Sequence, residues 1–520
     1  MLNLLSFILL TLSLSTKANG ESIGPSAVLV VSNANISLDG YTRPAVLAGG
    51  TFPGPTIAGD KGDTFVIDVV DHLNDTSMDV VTSIHWHGIH QHTFNAVDGV
   101  SFVNQCPIIP GDTFRYQFEV PDQAGTYWYH SHFSTQYCDG LRGALVVRDP
   151  QDPHADLYDC DDDSTVITLA DWYHYLANDA PTGPPAFNST LINGAGRWAG
   201  GPATPLSVVN VQHGKRYRFR LISISCAPNW KFSIDDHTLT IIEVEGTNVQ
   251  PLDVDEIQIF AGQRYSFVLN ATQPVNNYWI RALPNRANDT TDNGVNSAIL
   301  RYAGASISDP TTQNTSGKLP LIETNLHPLV PSPVPGTHQP GSADRNINLN
   351  VTNNGTRYFM NNASFEDPSV PILLQILSGA KRVEDLVPAG SIYGLNRGDV
   401  VELTIPAGAL VGGPHPVHLH GHSFWVVRSA GNDTYNWDNP TVRDVVNMGN
   451  ANSSSEVTIR FVADNSGPWF FHCHIDWHLA AGFAVVFAED IPDIQSTDVT
   501  SDAWSALCPE YNAFIRGTGA

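Results

Sequence analysis

The residues able to do chemistry are crowded into a few short stretches. Near the C-terminal end runs His472-Cys473-His474-Ile475-Asp476-Trp477-His478, three imidazoles and one thiol behind the apolar run Trp469-Phe470-Phe471. On an extended strand, successive side chains point to opposite faces. His472 and His474 then look one way and Cys473 the other, so one backbone segment can serve two metal sites. A thiolate with imidazoles suits copper or zinc. Taken alone, the stretch reads equally well as a buried cysteine beside surface histidines, and the rest of the chain must decide.

Of the 20 histidines, ten fall into four clusters: His85-Trp86-His87, His130-Ser131-His132, His415-Pro416-Val417-His418-Leu419-His420, and the stretch above. On a strand, residues i and i+2 share a face about 6–7 Å apart. Two such imidazoles can reach different ions of one multinuclear site. Four pairs supply eight nitrogens, enough for three ions. A histidine-rich surface tract has no reason to keep this spacing. His415 stands three residues before His418 and so faces away from His418 and His420, just as Cys473 faces away from its neighbours. His415 and Cys473 can meet at a second site, with His478 brought back after a turn. Two histidines and a cysteine with a weak or absent axial ligand describe a blue-copper electron-transfer centre. Zinc would want a fourth strong ligand, whereas the axial candidates Leu479 and Phe483 are apolar. The other ten histidines, including His90 and His422 beside the clusters, read as core or surface residues.

These side chains need strands to hold them, and the sequence is full of short alternating ones. In Thr113-Phe114-Arg115-Tyr116-Gln117-Phe118-Glu119-Val120 the apolar residues share one face. The same unit, a glycine and then an alternating strand, follows Gly62, Gly111, Gly214, Gly262 and Gly398. Five copies predict an all-β chain of repeated β-sandwich modules. Asp149-Pro150-Gln151-Asp152-Pro153 punctuates the end of a first module, and the proline-rich run from Pro328 to Pro340 reads as a stiff connector. The expected domains are 21–151, 152–321 and 322–520, each large enough to bury its own core. The clusters lie in the first and last, which puts the multinuclear site at their interface.

Composition narrows the setting. The 520 residues carry a net charge of −26. Such a chain is repelled from phosphates, which argues against nucleic acid and anionic membrane as partners. Residues 1–20 hold an apolar run from Leu4 to Leu14 and read as a secretory signal. No other stretch approaches the roughly 18 apolar residues of a membrane span. Asn-x-Ser/Thr acceptors at Asn35, Asn74, Asn188, Asn270, Asn288, Asn314, Asn350, Asn354, Asn362, Asn432 and Asn452 fit a secreted, glycosylated protein. With six cysteines, a metal-bound Cys473 leaves one thiol over.

The four histidine motifs, with Asp98-Gly99, Asn104-Gln105-Cys106-Pro107 and Asp171-Trp172-Tyr173-His174, make the chain resemble the multicopper oxidases, and most of all the secreted basidiomycete laccases. The resemblance spans essentially all of the mature chain. It implies three consecutive cupredoxin-like Greek-key domains and four copper ions: one type 1, one type 2 and two type 3. The type 1 ion would take His415, Cys473 and His478, with Phe483 at the axial position. The type 2 ion would take His85 and His418. One type 3 ion would take His87, His130 and His474, and the other His132, His420 and His472. Asp98 and Asp476 would handle protons near the oxygen site. Disulfides would join Cys106 to Cys508 and Cys138 to Cys226, leaving Cys160 with no family partner.

The same resemblance implies one-electron oxidation of phenols and aromatic amines coupled to four-electron reduction of O2 to water. A role in lignin degradation or detoxification of aromatic compounds, outside the cell and as a monomer, goes with it. Electrons would enter at His478, cross Cys473 and reach His472 and His474 along the backbone. One departure bears on substrate. Many laccases carry a carboxylate just after the cysteine matching Cys226, whereas this chain has Ala227 at the substrate rim, which predicts weaker phenol turnover unless Asp235 or Asp236 substitutes. A ferroxidase would instead need carboxylates at that rim, and a non-catalytic cupredoxin array would lack some of the ligands.

Overall fold

The computed structural model describes residues 22–180, 185–285, 289–406, 414–449 and 456–518. The leader reading at 1–20 and the acceptors Asn288 and Asn452 lie outside these residues.

All five glycine-plus-strand units are turns followed by strands: Thr64–His72, Thr113–Glu119, Arg216–Ser223, Arg264–Asn270 and Val400–Pro406. The five glycines have φ between 84° and 96°, the left-handed region that costs a residue with a Cβ about 1–2 kcal/mol. The alternating apolar residues behind them are buried. Hydrophobic alternation therefore sets which face of each strand meets the core.

Apart from the two-stranded ladder of Val351–Asn353 with Tyr358–Met360, the sheets among the described residues form three facing pairs. The first pair is built from strands between Ser26 and Arg148, the second from strands between Val166 and Tyr302, and the third from strands between Arg345 and Glu489. Each of these six sheets contains one parallel pair, such as Ser26–Ser37 beside Thr64–His72 or Ile392–Leu395 beside Ala484–Glu489. Parallel neighbours cannot be joined by a hairpin, so the chain crosses between sheets and closes each sandwich in Greek-key fashion. The all-β, three-module expectation is borne out.

The cores are less separate than expected. Strand residues of the first sandwich, including Phe65, Trp86 and Tyr129, share one buried cluster with Phe365, Ile372, Phe470, Trp504 and Leu507 from the last third of the chain. A second cluster joins Leu47, Trp128 and Cys138 of the first sandwich to Trp172, Ile224 and Cys226 of the second. Burying apolar surface across the boundaries locks the sandwiches against one another. Helical pattern is scarce in the sequence, yet the chain ends in a 17-residue helix, Asp502–Thr518. Its buried Trp504, Leu507 and Cys508 stand at helical spacing on one face, and the Cys106–Cys508 bond ties it to the first sandwich. The proline-rich connector is docked rather than free. The buried Arg460 donates to the carbonyls of Pro335, Thr337 and Gln339.

Candidate metal centres

Two antiparallel ladders bring the histidines together. His85 stands directly across from His130 where Ile84–His87 pairs with Gly125–Ser131. His418 stands across from His472, and Val417 from Cys473, where Pro416–Leu419 pairs with Gly467–Cys473. His132, His420 and His474 follow immediately beyond their strand ends. Strand alternation thus puts His418 and His472 on one face and Cys473 on the other, the separation derived from spacing alone. After Cys473 the chain turns into a short helix, Asp476–Ala480, which returns His478 to the cysteine's side.

On that side the Nδ1 atoms of His415 and His478 lie 3.2 Å apart, and the Sγ of Cys473 is 3.8 Å from the first and 3.7 Å from the second. A first-row ion held at about 2.0–2.1 Å by nitrogen and about 2.3 Å by sulfur needs donors roughly 3–4 Å apart, so this triangle fits one ion. Phe483 is fully buried beside it, its ring 5.9 Å from that of His415. Leu479, the other apolar candidate, lines cavities on the far side with His132 instead. Burial pushes the Cys473 thiol up to about 12.

On the opposite face, groups of donors within 4.8 Å of one another are formed by His85, His418 and His420, by His85, His87 and His130, and by His132, His420 and His472. His474 joins through its Nε2, 3.3 Å from Nδ1 of His87. The ring orientations are held from behind by oxygen atoms. His85 donates its Nδ1–H to the carbonyl of Asp98, His130 to that of Ser131, His418 to that of Asp444 and His472 to that of Cys473, at 2.8–3.0 Å. His420 donates to the carboxylate of Asp98 at 2.9 Å and His87, through Nε2, to that of Asp444 at 3.2 Å. Each such bond fixes the tautomer and aims the other nitrogen's lone pair inward. The Nε2 atoms of His85, His130, His132 and His418 are buried with no hydrogen-bond partner, an expense in free energy that a metal ion would remove. Burial holds His87, His130, His132, His418, His420 and His474 well below the ordinary imidazole range and brings His472 to about 3. All seven are neutral at physiological pH, the form in which an imidazole can bind a metal.

Three family models, each described as multicopper oxidase, match residues 30–152, 163–305 and 365–493. The chain belongs to the multicopper oxidases. Among curated relatives of this multicopper oxidase, Laccase-2 of Trametes villosa is 59% identical over 492 residues, covering 94% of this chain and 95% of that protein. Laccase of Pycnoporus cinnabarinus is 57% identical over 512 residues, 98% of each. The solved laccase from Botrytis aclada superposes with a TM-score of 0.81 at 32% identity, covering 94% of this chain and 92% of that one. Fet3p, a multicopper oxidase that functions in iron import, gives 0.81 at 27% identity, covering 93% and 94%.

Around the donors of this multicopper oxidase lie groups that motif reading missed. Asp444, buried between His87 and His418, is clamped by Arg264 of the middle sandwich through bonds of 2.7 and 2.6 Å. Glu245, from the same sandwich, accepts the backbone N–H of Asp444 and Val445. A Cβ on Gly262 would stand 3.0 Å from Cδ2 of His474 and 3.1 Å from Cε1 of His87. The middle sandwich carries no histidine cluster, yet it walls and braces the site. No local pattern marks Asp444; its role follows from His418 pairing with the neighbouring Val445.

The expected proton groups sit where they touch the donors. Asp98 is fully buried against His420 and His85. Gly99 makes that approach possible, since a Cβ there would fall 1.8 Å from the carbonyl oxygen of Ile84. Asp476 lines a space of about 10 Å³ with His130, His132, His472 and His474, room for about one water. Burial holds its carboxyl well above the usual range. Of the eleven candidate ligands only His478 is not buried, and Tyr358 packs beside it at 4.7 Å between ring centroids. Ala227 is buried in the core next to Cys226, its N–H donated to Asp171. Asp235 is bound twice by Arg281 at 2.7 Å, and Asp236 follows it at the far end of the strand Trp230–Ile234. The structure joins Cys138 to Cys226, and Cys160 is a free, half-buried thiol.

Proposed function

We propose that this laccase-type enzyme takes single electrons from phenols and aromatic amines and returns them, four at a time, to O2. The observation that carries the reading is that His478 alone among the ligands is half-buried rather than buried, five residues from a cysteine whose chain neighbours face the buried donor cluster. His415, Cys473 and His478 would hold the type 1 copper, His85 and His418 the type 2, and His87, His130, His474 and His132, His420, His472 the type 3 pair. Copper supplies the one-electron redox chemistry and the binding of oxygen.

The chain's own residues divide the remaining work. His478 meets the substrate at the rim, with Tyr358 supplying an aromatic face beside it. Cys473 links directly to His472 and His474, and its carbonyl accepts the Nδ1–H of His472 at 3.0 Å, giving the electron both a covalent and a hydrogen-bonded path across the strand. A cavity of about 210 Å³ reaches His132 between Ser101, Phe365 and Phe470, a route for O2 and water. Asp476, whose carboxyl burial holds well above the usual range, and Asp98, bonded to His420, stand where protons are consumed.

Secretion, a monomeric state and a role in lignin breakdown or detoxification complete the reading, supported by the acceptor sites and by relatives that are laccases. No helix among the described residues is long and apolar enough to cross a membrane. Steady-state oxygen uptake against a panel of phenols, aromatic amines and Fe(II) tests it. Faster turnover of Fe(II) than of every aromatic donor would replace it with a ferroxidase.

A further inference from the structure

Away from the donors, a cavity of about 300 Å³ opens where the second sandwich meets the third, and a second of about 270 Å³ adjoins it between the third sandwich and Glu323-Thr324. They share Glu323, Thr324, Ser429 and Asn432. The first is at the lower size limit of small-molecule sites. Its charges are already neutralised: Glu323 accepts from Arg443 at 2.6 Å and from Ser429 at 2.7 Å. Amide, hydroxyl and aromatic surface from Gln258, Gln263, Asn447 and Tyr265 also faces the space, beside apolar Phe260, Leu321 and Ile322. The second cavity has apolar walls in Val426, Val427 and Pro440, and a polar point in Thr441. The Thr441 hydroxyl is buried with no hydrogen-bond partner, on a residue 3% exposed. Neutral polar groups around an apolar floor suit a ligand that alternates hydroxyls and an acetamide with C–H faces, and exclude an ion.

Asn432, on the boundary of the two cavities, begins an acceptor triplet, Asn432-Asp433-Thr434. Its Oδ1 accepts from the N–H of Thr434 at 3.0 Å and from the Thr434 hydroxyl at 2.8 Å. Its Nδ2 makes no hydrogen bond among the described residues, so the attachment atom is available. Asn314 and Asn354 form the same turn with Ser316 and Thr356, but neither lines these cavities.

We propose that Asn432 carries an N-linked glycan whose first N-acetylhexosamine units lie in these cavities and brace the second sandwich against the third. The bond from Nδ2 to the anomeric carbon forms as that carbon leaves the diphosphate of a lipid-linked oligosaccharide donor, and the amide loses one proton. The inference rests on secretion, proposed above. Peptide mass spectrometry of the protein secreted from a eukaryotic host reads every acceptor site at once. Glycan on the Asn432 peptide is expected; a bare Asn432 on exported protein overturns this inference alone, whereas a full-length chain that stays inside the host overturns secretion with it. Trimming with an endoglycosidase and the variants Asn432→Gln and Thr434→Ala should each speed amide exchange at 320–325 and 426–441 and lower Tm, with oxygen uptake unchanged. Occupied Asn432 with exchange unaltered by trimming and by both variants would show a glycan that lies outside the cavities, and would overturn the bracing.

Discussion

Nε2 of His87 lies 3.2 Å from Oδ1 of Asp444, 357 residues later in the chain. The same carboxylate is gripped by Arg264 from the middle sandwich, while the carbonyl of Asp444 receives His418. One residue thus aims two ligands that the resemblance assigns to different copper ions, and it does so with a cation from a domain that supplies no ligand.

Asp444→Asn should therefore loosen His87, which loses a charged acceptor clamped by Arg264, more than His418, whose partner is the main-chain carbonyl. Loss of an oxygen acceptor behind a metal-binding imidazole costs about 10–100-fold in metal affinity or activity. Copper content and oxygen uptake are expected to fall together, while the visible absorption of the Cys473 centre persists. Full copper occupancy with unchanged uptake would remove Asp444 from the site's framework.

Gly262→Ala tests the wall of the site. The added methyl would stand 3.0 and 3.1 Å from the His474 and His87 rings, on a backbone with φ of 85°. Tighter than nearly all real contacts, it should push the two rings apart and lower copper content below that of the parent. The Cys473 centre should keep its colour, which separates a local effect from misfolding.

Ala227→Asp restores a carboxylate one residue from Cys226. A positioned general base contributes about 100-fold or more to proton removal, and a partial share of that should appear as a rise in kcat/KM for phenols but not for non-phenolic donors. Asp235 offers no substitute, held as it is by Arg281. No gain for phenols would sink the idea that the missing carboxylate limits them.

Asp71, fully buried, keeps Oδ1 on the N–H of Leu73 while Oδ2 has no partner. Burial raises its carboxyl from 3.8 to about 7. Between those values the folded protein holds a proton that the unfolded chain has released, so the contribution to stability falls as pH rises through the window. Asp71→Asn keeps the acceptor without the charge. Its Tm should exceed the parent's at pH 7 and match it at pH 4; an equal difference at both would exclude the titration.

Copper loading should follow the same logic at Cys473. With the thiol pushed up to about 12, binding at that centre displaces the thiol proton, and apparent affinity should rise at least about tenfold per pH unit between pH 6 and 8. Metal uptake by the apoprotein, followed through its visible absorption, measures the slope. Chelation should lower Tm as well, because it leaves the Nε2 atoms of His85, His130, His132 and His418 buried and unsatisfied. An uptake independent of pH would contradict a protonated Cys473.

Local rules made much of this legible in advance. Alternation along a strand is a matter of one residue and its neighbour, so the opposite facing of Cys473 and His472, the five glycine turns and the sandwich fold could all be read from order alone. The separation of His415 from His418 and His420 came from counting residues. Chemistry that depends on one amino acid's own side chain, the thiol and the imidazoles, was equally open to inspection.

Tertiary structure decided what no spacing encodes. Asp444 is brought to His87 by packing between sandwiches, Gly262 is a wall only because His474 lies against it, and Tyr358 reaches His478 across a loop. The same packing merged the first core with residues near Phe470 and Trp504, where separate cores were expected. The last helix is not legible from local rules because Pro509 lies inside it, a residue that by itself reads as a helix stop. Periodicity reports how a segment meets its own element, and burial between distant elements depends on three-dimensional shape that the order of residues along one segment does not express.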